Sequence, residues 1–289
     1  MELIYNYMED DILRHKLNTL TQKTFGFNFE NWVMDGYFEG DYIPYSFMED
    51  GKILSNVSVN RMRFIQNGVQ KNYIQIGTVM TDESYRKRGL AGRLMGHVIG
   101  EYENDCDGIY LFGDLDALDF YRKMGFEEGL QYRNILKKDW LGAEKRGIPF
   151  KKADGQLKIK YQNAVRHSAV NSALEQVNKY GLQMFYTADM GDVYYAEEID
   201  CFAVMEKWDD TLILQSLVSK EHISMKEVIE HIDIKCGCMQ LGFTPCAEDA
   251  DMFEVSAYDG GDDYRLFYRG KKLESIEKEK LFFPQLSHT

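Results

Sequence analysis

Residues 79–95 read VMTDESYRKRGLAGRLM, an apolar strand-like run that passes through a glycine turn directly into a helix-like run. Gly89 allows a tight turn because it has no Cβ atom, and the small Ala91 and Gly92 leave the first amide groups of the following helix uncovered. Free N–H groups at the positive end of a helix dipole attract anions. The stretch is therefore predicted to hold a diphosphate.

Positive charge is concentrated at this turn. The chain as a whole is acidic, with a formal net charge of -13, yet no Asp or Glu falls between positions 86 and 93. The basic residues of the turn are Arg86, Lys87, Arg88 and Arg93. A local cluster of this kind favours an anionic ligand.

The segments on either side of the turn indicate a strand and a helix. Residues 73–81, YIQIGTVMT, are rich in β-branched and aromatic residues, which is typical of a strand. Apolar residues then recur every four positions, as on one face of a helix; they are Leu90, Leu94, Val98 and Tyr102. The turn lacks both the G-x-G-x-x-G of dinucleotide-binding loops and the Gly-Lys-Ser/Thr ending of a phosphate P-loop, so it fits neither of those classes.

A second motif follows a short predicted strand at residues 109–112. Residues 116–126 read DALDFYRKMGF. A turn of the form R-x-x-G-x-A, followed about 30 residues later by A-x-x-F-Y-x-K-x-G-F, resembles the GNAT superfamily of acyl-CoA-dependent N-acetyltransferases. The resemblance implies the GNAT fold, of the α/β (α+β) class, in which a mixed and mostly antiparallel sheet is flanked by helices.

The resemblance also implies where acetyl-CoA, the expected co-substrate, would bind. In GNAT enzymes the strand before the loop splays from its neighbour and pairs with the pantetheine arm, while the loop itself holds the pyrophosphate. The cofactor-binding residues expected on this basis are Val79, Met80, Thr81, Arg86, Lys87, Arg88, Gly89, Leu90, Ala91, Gly92 and Arg93.

The tyrosine of the Phe-Tyr pair is a frequent general acid in the family, and it corresponds to Tyr121 here. A phenol with a pKa of about 10 is a reasonable proton donor to a departing thiolate. The alternative is an ordinary helix aromatic, since the chain has 19 tyrosines. The reaction itself requires mainly positioning, because a thioester is already activated and a neutral amine is already a nucleophile.

The residue that takes a proton from the incoming ammonium is not evident in the motifs. Many family members use a glutamate of the preceding strand, but that strand offers Gln75, Gly77, Thr78 and Thr81 instead. Asp82 and Glu83 lie just beyond its end and are read as solvated loop carboxylates.

Composition limits the broad class of the protein. With 44% apolar and 28% charged residues in 289, the sequence is typical of a soluble globular chain of two domains. The N-terminal residues lack the features of a signal peptide, and no stretch approaches the roughly 20 apolar residues of a membrane span. The five cysteines form no C-x-x-C pair and the six histidines no H-x-x-x-H pair. We therefore expect a cytoplasmic protein with reduced thiols and no metal, and its acidity argues against nucleic-acid and membrane partners.

The domain organisation is predicted from composition and element order. Residues 1–138 contain the two motifs and are predicted to form the catalytic domain, which includes a hairpin turned at Asp50-Gly51 and ends on a strand at residues 131–136. Aromatic residues between positions 25 and 45 lie where the family places the acceptor cleft, although they can equally be core residues. Residues 139–160 are polar and glycine-punctuated and are read as a connector.

Residues 161–289 resemble a second, degenerate copy of the same fold. A helix is predicted over residues 163–179, a hairpin over 201–218, and a helix after the capping box that begins at Ser224. Where the first copy has its glycine turn, the second reads SKEHISMKE, so it is not expected to bind CoA. Its expected roles are to wall the acceptor cleft and to stabilise the first copy.

Two-copy GNAT relatives, such as the enhanced intracellular survival acetyltransferases and protein N-myristoyltransferase, bring their own terminal carboxylate into the active site as a base. The sequence here finishes LFFPQLSHT, which is unlike a frayed polar tail. The resemblance therefore suggests that the carboxylate of Thr289 is catalytic, alongside Tyr121. The alternative is a tail that merely packs on the second domain.

Together these inferences predict an N-acetyltransferase that moves acetyl from acetyl-CoA directly to a primary amine of a small molecule or a peptide. A non-catalytic acyl-CoA-binding sensor or regulatory module is the alternative. The sequence leaves the acceptor and the oligomeric state open.

Overall fold

The predicted hairpin at Asp50-Gly51 forms and begins the first of two sheets. Its two turn residues have φ of 48° and 74°, the left-handed backbone that matches a two-residue loop to the twist of its strands. The computed structural model describes residues 1–142 and 144–289. Ala143, in the predicted connector, lies outside the described residues.

Strands and helices alternate along the chain. The strands are β1 Glu2–Tyr5, β2 Tyr42–Glu49, β3 Lys52–Gln66, β4 Val69–Thr81, β5 Gly108–Asp114, β6 Glu127–Gly129, β7 Gln131–Leu136, β8 Lys151–Lys152, β9 Leu174–Gln176, β10 Val193–Ala196, β11 Cys201–Trp208, β12 Thr211–Ser219, β13 Cys238–Leu241, β14 Phe253–Tyr258 and β15 Tyr264–Arg269. The helices are α1 Asp11–Phe25, α2 Glu30–Met34, α3 Leu90–Tyr102, α4 Leu118–Lys123, α5 Lys138–Leu141, α6 Lys158–Arg166, α7 Tyr180–Thr187, α8 Met225–Glu230 and α9 Glu274–Lys278.

The strands form two sheets of the same design. The first has the order β1-β2-β3-β4-β5-β15-β6, with β9 paired to the end of β3, and the second has the order β8-β10-β11-β12-β13-β7-β14. In each sheet one central pair is parallel, β4 with β5 and β12 with β13, and the other pairs are antiparallel. A helix joins each parallel pair, α3 in the first sheet and α8 in the second. The chain therefore holds the same mixed, mostly antiparallel fold in two copies.

The two sheets exchange one strand. β7, from the first half of the sequence, lies between β13 and β14 of the second sheet. β15, from the second half, lies between β5 and β6 of the first. The sheets therefore do not correspond to two contiguous stretches of chain, and a boundary at residue 138 stays a prediction.

Both faces of each sheet are covered. The apolar stripe of α3 packs on one face of the first sheet, while α1 and the aromatic segment around α2 cover the other. In the second sheet α8 packs on one face, and α6 with α7 on the other. The junction between the halves is itself apolar, and the ring of Phe283 stacks on that of Tyr110 with centroids 4.2 Å apart.

The helix predicted over residues 163–179 is wrong. α6 ends at Arg166, β9 follows, and α7 begins at Tyr180. β9 pairs with Phe64–Gln66 of β3, so a tertiary contact decides the conformation of a segment whose local pattern favours a helix.

Candidate active site

The site lies where β4 and β5 separate. The two strands pair only from Tyr73–Gly108 to Gln75–Tyr110, and beyond this point β5 keeps β15 as its partner on the other side. Within the described residues, the edge of β4 that faces β5 has no strand partner from residue 76 to residue 81. The splay that the resemblance implies is therefore present, and we call the gap between the two strands the fork.

A β-bulge in β4 lies at the fork. Asn56 pairs with Met80 but Ser58 pairs with Gly77, so β4 has one extra residue here. Thr78 adopts φ of 41°, which is unfavourable for a β-branched residue. Its hydroxyl lies 2.7 Å from that of Tyr42, and the strained backbone turns the end of β4 relative to β3.

The predicted anion-binding turn begins α3. Gly89 has φ of 75° and precedes the helix as its N-cap. The first bond of the helix runs from the Arg93 N–H to the Gly89 carbonyl at 3.1 Å. The N–H groups of Leu90, Ala91 and Gly92 therefore precede the first helical hydrogen bond and have no acceptor within the helix.

The basic side chains of the turn differ in their surroundings. Arg86 donates to the Thr81 carbonyl at 3.2 Å, and Arg88 donates to the Ser84 carbonyl at 3.1 Å. Arg93 instead lies over the ring of Phe47, 4.7 Å from its centroid. None of these arginines forms an ion pair with an acidic group of residues 1–142 or 144–289, so their charge is available to an anion.

Tyr121 lies at the other side of the fork. Its ring is only 7% exposed and packs against Gly113 of β5, where an added Cβ would come within 2.7 Å of it. Phe267 of the exchanged strand β15 covers the ring from the far side, with centroids 5.4 Å apart. Burial raises the pKa of the phenol well above its usual value, so it stays protonated at neutral pH. In the described part of the chain, no hydrogen bond joins Tyr121 to Thr289.

Thr289 is seated on β4 at the fork. Asn60 donates from its side-chain amide to the Thr289 Oγ1 at 3.1 Å. With its amide oriented to satisfy both ends, Gln75 donates to the Ser287 carbonyl at 2.8 Å and accepts from the Thr289 N–H at 3.2 Å. Gly77 leaves the space for this residue, because an added Cβ would lie 2.5 Å from Thr289 Oγ1.

His288 anchors the same segment on β5. Its ring stacks on that of Phe112 with centroids 3.7 Å apart, and Tyr186 donates its hydroxyl to the His288 carbonyl at 2.7 Å. Burial lowers the pKa of His288 to about 3, so the ring is neutral at physiological pH. The segment thus bridges the two strands of the fork.

A cavity of about 260 Å³ opens beside Thr289. Asn60, Thr78 and Thr289 lie at its polar end. Its wall is largely aromatic and combines both halves of the chain: Phe27, Phe29, Trp32 and Tyr42 with Phe185 and Tyr186. The aromatic segment predicted at the acceptor cleft therefore does line a cavity, although Phe29 is also buried in the core.

The structure brings several of the predicted site residues to one fork, with the glycine turn at the end of β4 and Thr289 on the strand itself. Sequence reasoning missed Asn60, Tyr186 and Phe185, which carry no local signal. A glycine inside a strand pattern often marks the close approach of another segment, so Gly77 could have been found.

One group of side chains could hold a metal ion. His222, Cys246 and Glu248 each have a potential ligand atom, and these atoms lie within 4.8 Å of one another. They lie outside the fork, and two of the three are exposed. The absence of a metal stays a prediction.

Comparison with known proteins agrees with this geometry. Residues 8–126 match the family model described as "Acetyltransferase (GNAT) family". These residues form a GNAT domain. No curated protein sequence matches the chain.

Solved structures resemble nearly the whole chain. A GCN5-related N-acetyltransferase from Kribbella flavida has a TM-score of 0.57 and 16% identity, with coverage of 94% of this chain and 73% of its own. Eis1 from Mycobacterium abscessus has a TM-score of 0.57 and 13% identity, with coverage of 95% and 75%. At these identities the likeness shows the fold. Among the described residues, no helix combines the length and the apolar character needed to cross a bilayer.

Proposed function

We propose that the protein transfers an acetyl group from acetyl-CoA to a primary amine. The observation that supports this most directly is the fork, which has an uncompensated cationic turn at the end of one strand and a cavity beside the terminal residue. A thioester donor held along β4 would have its reactive carbon between the two.

The residues of the turn and of β4 suit the proposed donor. The unpartnered N–H groups of residues 90–92, together with Arg86, Lys87 and Arg88, would bind the pyrophosphate. Val79, Met80 and Thr81 would pair through the free edge of β4 with the amides of pantetheine, as a strand pairs with a neighbour.

The chemistry needs two proton transfers, and we assign each to one residue. The amine nitrogen bonds to the thioester carbon, the carbon–sulfur bond breaks, and the acetylated amine is released with the free thiol. Tyr121 would protonate the departing thiolate, which fits a phenol kept neutral by burial. The carboxylate at Thr289 would take the proton that the ammonium must lose before it attacks.

The role of Thr289 has its own test, because a carboxylate exists at this position only where the chain ends there. Intact mass spectrometry of the purified protein establishes the terminus. Three glycines are then appended after Thr289. Loss of the nearby base is expected to lower kcat by about 100-fold or more with an unchanged Kd for CoA. Undiminished turnover would exclude the terminal carboxylate as the base.

The central experiment measures thiol release from acetyl-CoA across a library of primary amines, for the unmodified protein and for Tyr121→Phe. Loss of a general acid is expected to lower kcat by about 100-fold or more. Tyr5→Phe is the matched control, because it removes the same hydroxyl from a side chain that is 61% exposed. CoA binding without transfer to any amine would reject the proposal in favour of a CoA sensor.

A further inference from the structure

The cavity beside Thr289 has an aromatic wall that the transfer chemistry itself does not require. The ring of Phe185, from α7, lies 5.6 Å from that of Phe27 and 5.9 Å from that of Trp32. Phe29 packs at 4.8 Å against Tyr42. The indole N–H of Trp32 donates to the Gly181 carbonyl at 2.6 Å, which fixes α2 against α7. These contacts hold the wall open as a preformed apolar space.

The position of the cavity assigns it to the acceptor side of the fork. In the described part of the chain, its lining includes no residue of the turn at 86–92, of β5 or of α4. It meets the fork through Thr78 and Thr289. A donor bound along the turn and the free edge of β4 would therefore approach from one side, and the cavity would receive the acceptor from the other.

Charged groups at the cavity are already matched within the protein. Glu39 forms an ion pair with Arg166. Asp41 accepts a hydrogen bond of 2.7 Å from Asn178, and burial raises the pKa of its carboxyl group. Arg61 also lines the cavity. A polycationic amine would thus meet a nearly neutral site and would lose hydration without gaining free carboxylate partners.

We propose that the acceptor is an arylalkylamine, a primary amine joined by a short chain to an aromatic ring. The ring would lie among Phe27, Trp32 and Phe185, and the amine would reach Thr289 at the polar end. The inference rests on the proposed function, and it adds the chemical class of the acceptor. Edge-to-face ring packing and burial of the apolar surface supply the selectivity.

The test compares kcat/KM for 2-phenylethylamine and putrescine with acetyl-CoA as donor. Burial of one aromatic ring predicts a preference of about 10- to 100-fold for 2-phenylethylamine. Phe185→Ala is expected to remove most of this preference and to leave the KM for acetyl-CoA unchanged, and Phe185→Leu, which keeps apolar bulk, to remove less. Trp208→Ala is the matched control, because that ring is 70% exposed and lies outside the cavity.

Each remaining outcome has a stated meaning. Equal or better use of putrescine, or a preference that does not depend on Phe185, overturns the inference and leaves the proposed function standing. A preference for hexanoyl-CoA over acetyl-CoA that Phe185→Ala abolishes also overturns it, since the cavity would then hold the acyl chain. If no amine is acetylated, the proposed function fails. Calorimetry with 2-phenylethylamine and putrescine, in the presence of CoA, then decides the inference by which amine binds more tightly.

Discussion

Gly77→Ala tests whether the terminal residue must sit at the fork. The added Cβ would lie 2.5 Å from Thr289 Oγ1, 3.1 Å from Thr289 Cβ and 3.3 Å from the Asn60 amide nitrogen. Rotation of the threonine hydroxyl relieves the first contact but not the second, so the terminal residue itself must move. A misplacement of about 1 Å at a reacting centre costs about 100-fold in rate. We therefore expect kcat to fall by about 100-fold.

The assay separates this effect from damage elsewhere. The Kd for CoA, measured by calorimetry, is expected to stay unchanged because the turn at residues 86–92 does not contact Gly77. Gly96→Ala is the matched control, since the same methyl group there meets nothing within 4 Å and improves helix propensity. Combining Gly77→Ala with deletion of Thr289 should lose no more activity than the deletion alone. Wild-type kcat in Gly77→Ala, or losses that add in the double variant, would refute the reasoning.

Three further predictions concern other parts of the protein. Arg86→Gln is expected to raise the Kd for CoA about tenfold by calorimetry, because a charge-assisted hydrogen bond is worth about 1.5 kcal/mol or more; an unchanged Kd would contradict a role in pyrophosphate binding. Since burial lowers the pKa of His288 to about 3, the unfolded chain binds the proton first as pH falls below 6.5. The free energy of unfolding should then fall by up to about 1.4 kcal/mol per pH unit between pH 6 and pH 4, and His288→Phe should flatten that slope in denaturant titrations. Asp10→Ala removes the acceptor of the Leu13 N–H at 2.9 Å and should cost about 1 kcal/mol in the same titrations, whereas Asp10→Asn should cost little.

Local features of the fold were predictable from the sequence because their causes are local. The turn at Asp50-Gly51 forms since both residues tolerate positive φ, and the helix after Ser224 begins where the serine side chain accepts from the Glu227 N–H. The glycine turn at Gly89 is predictable for the same reason. In each case a few neighbouring residues determine the backbone.

Strand pairing was not predictable, because the partner of a strand lies far away in sequence. Residues 131–136 read correctly as a strand, but nothing in them indicates that they belong to the second sheet. The same limit explains the misread segment at residues 174–176, which becomes a strand only because β3 offers it an edge. Asn60 and Phe185 were missed for this reason, since their importance depends on what the tertiary fold brings beside them.

The strand exchange explains how a residue at position 289 comes to lie against β4. β15 takes the place beside β5 in the first sheet, so the chain re-enters that sheet at residue 264. The chain then returns by way of Phe283, whose N–H donates to the Gln131 side chain of the exchanged strand β7 at 2.9 Å. Both exchanged strands thus hold the segment that ends at the fork. The second half of the chain therefore completes the first sheet, covers Tyr121 with Phe267 and supplies Phe185 to the cavity, so the candidate site belongs to both halves.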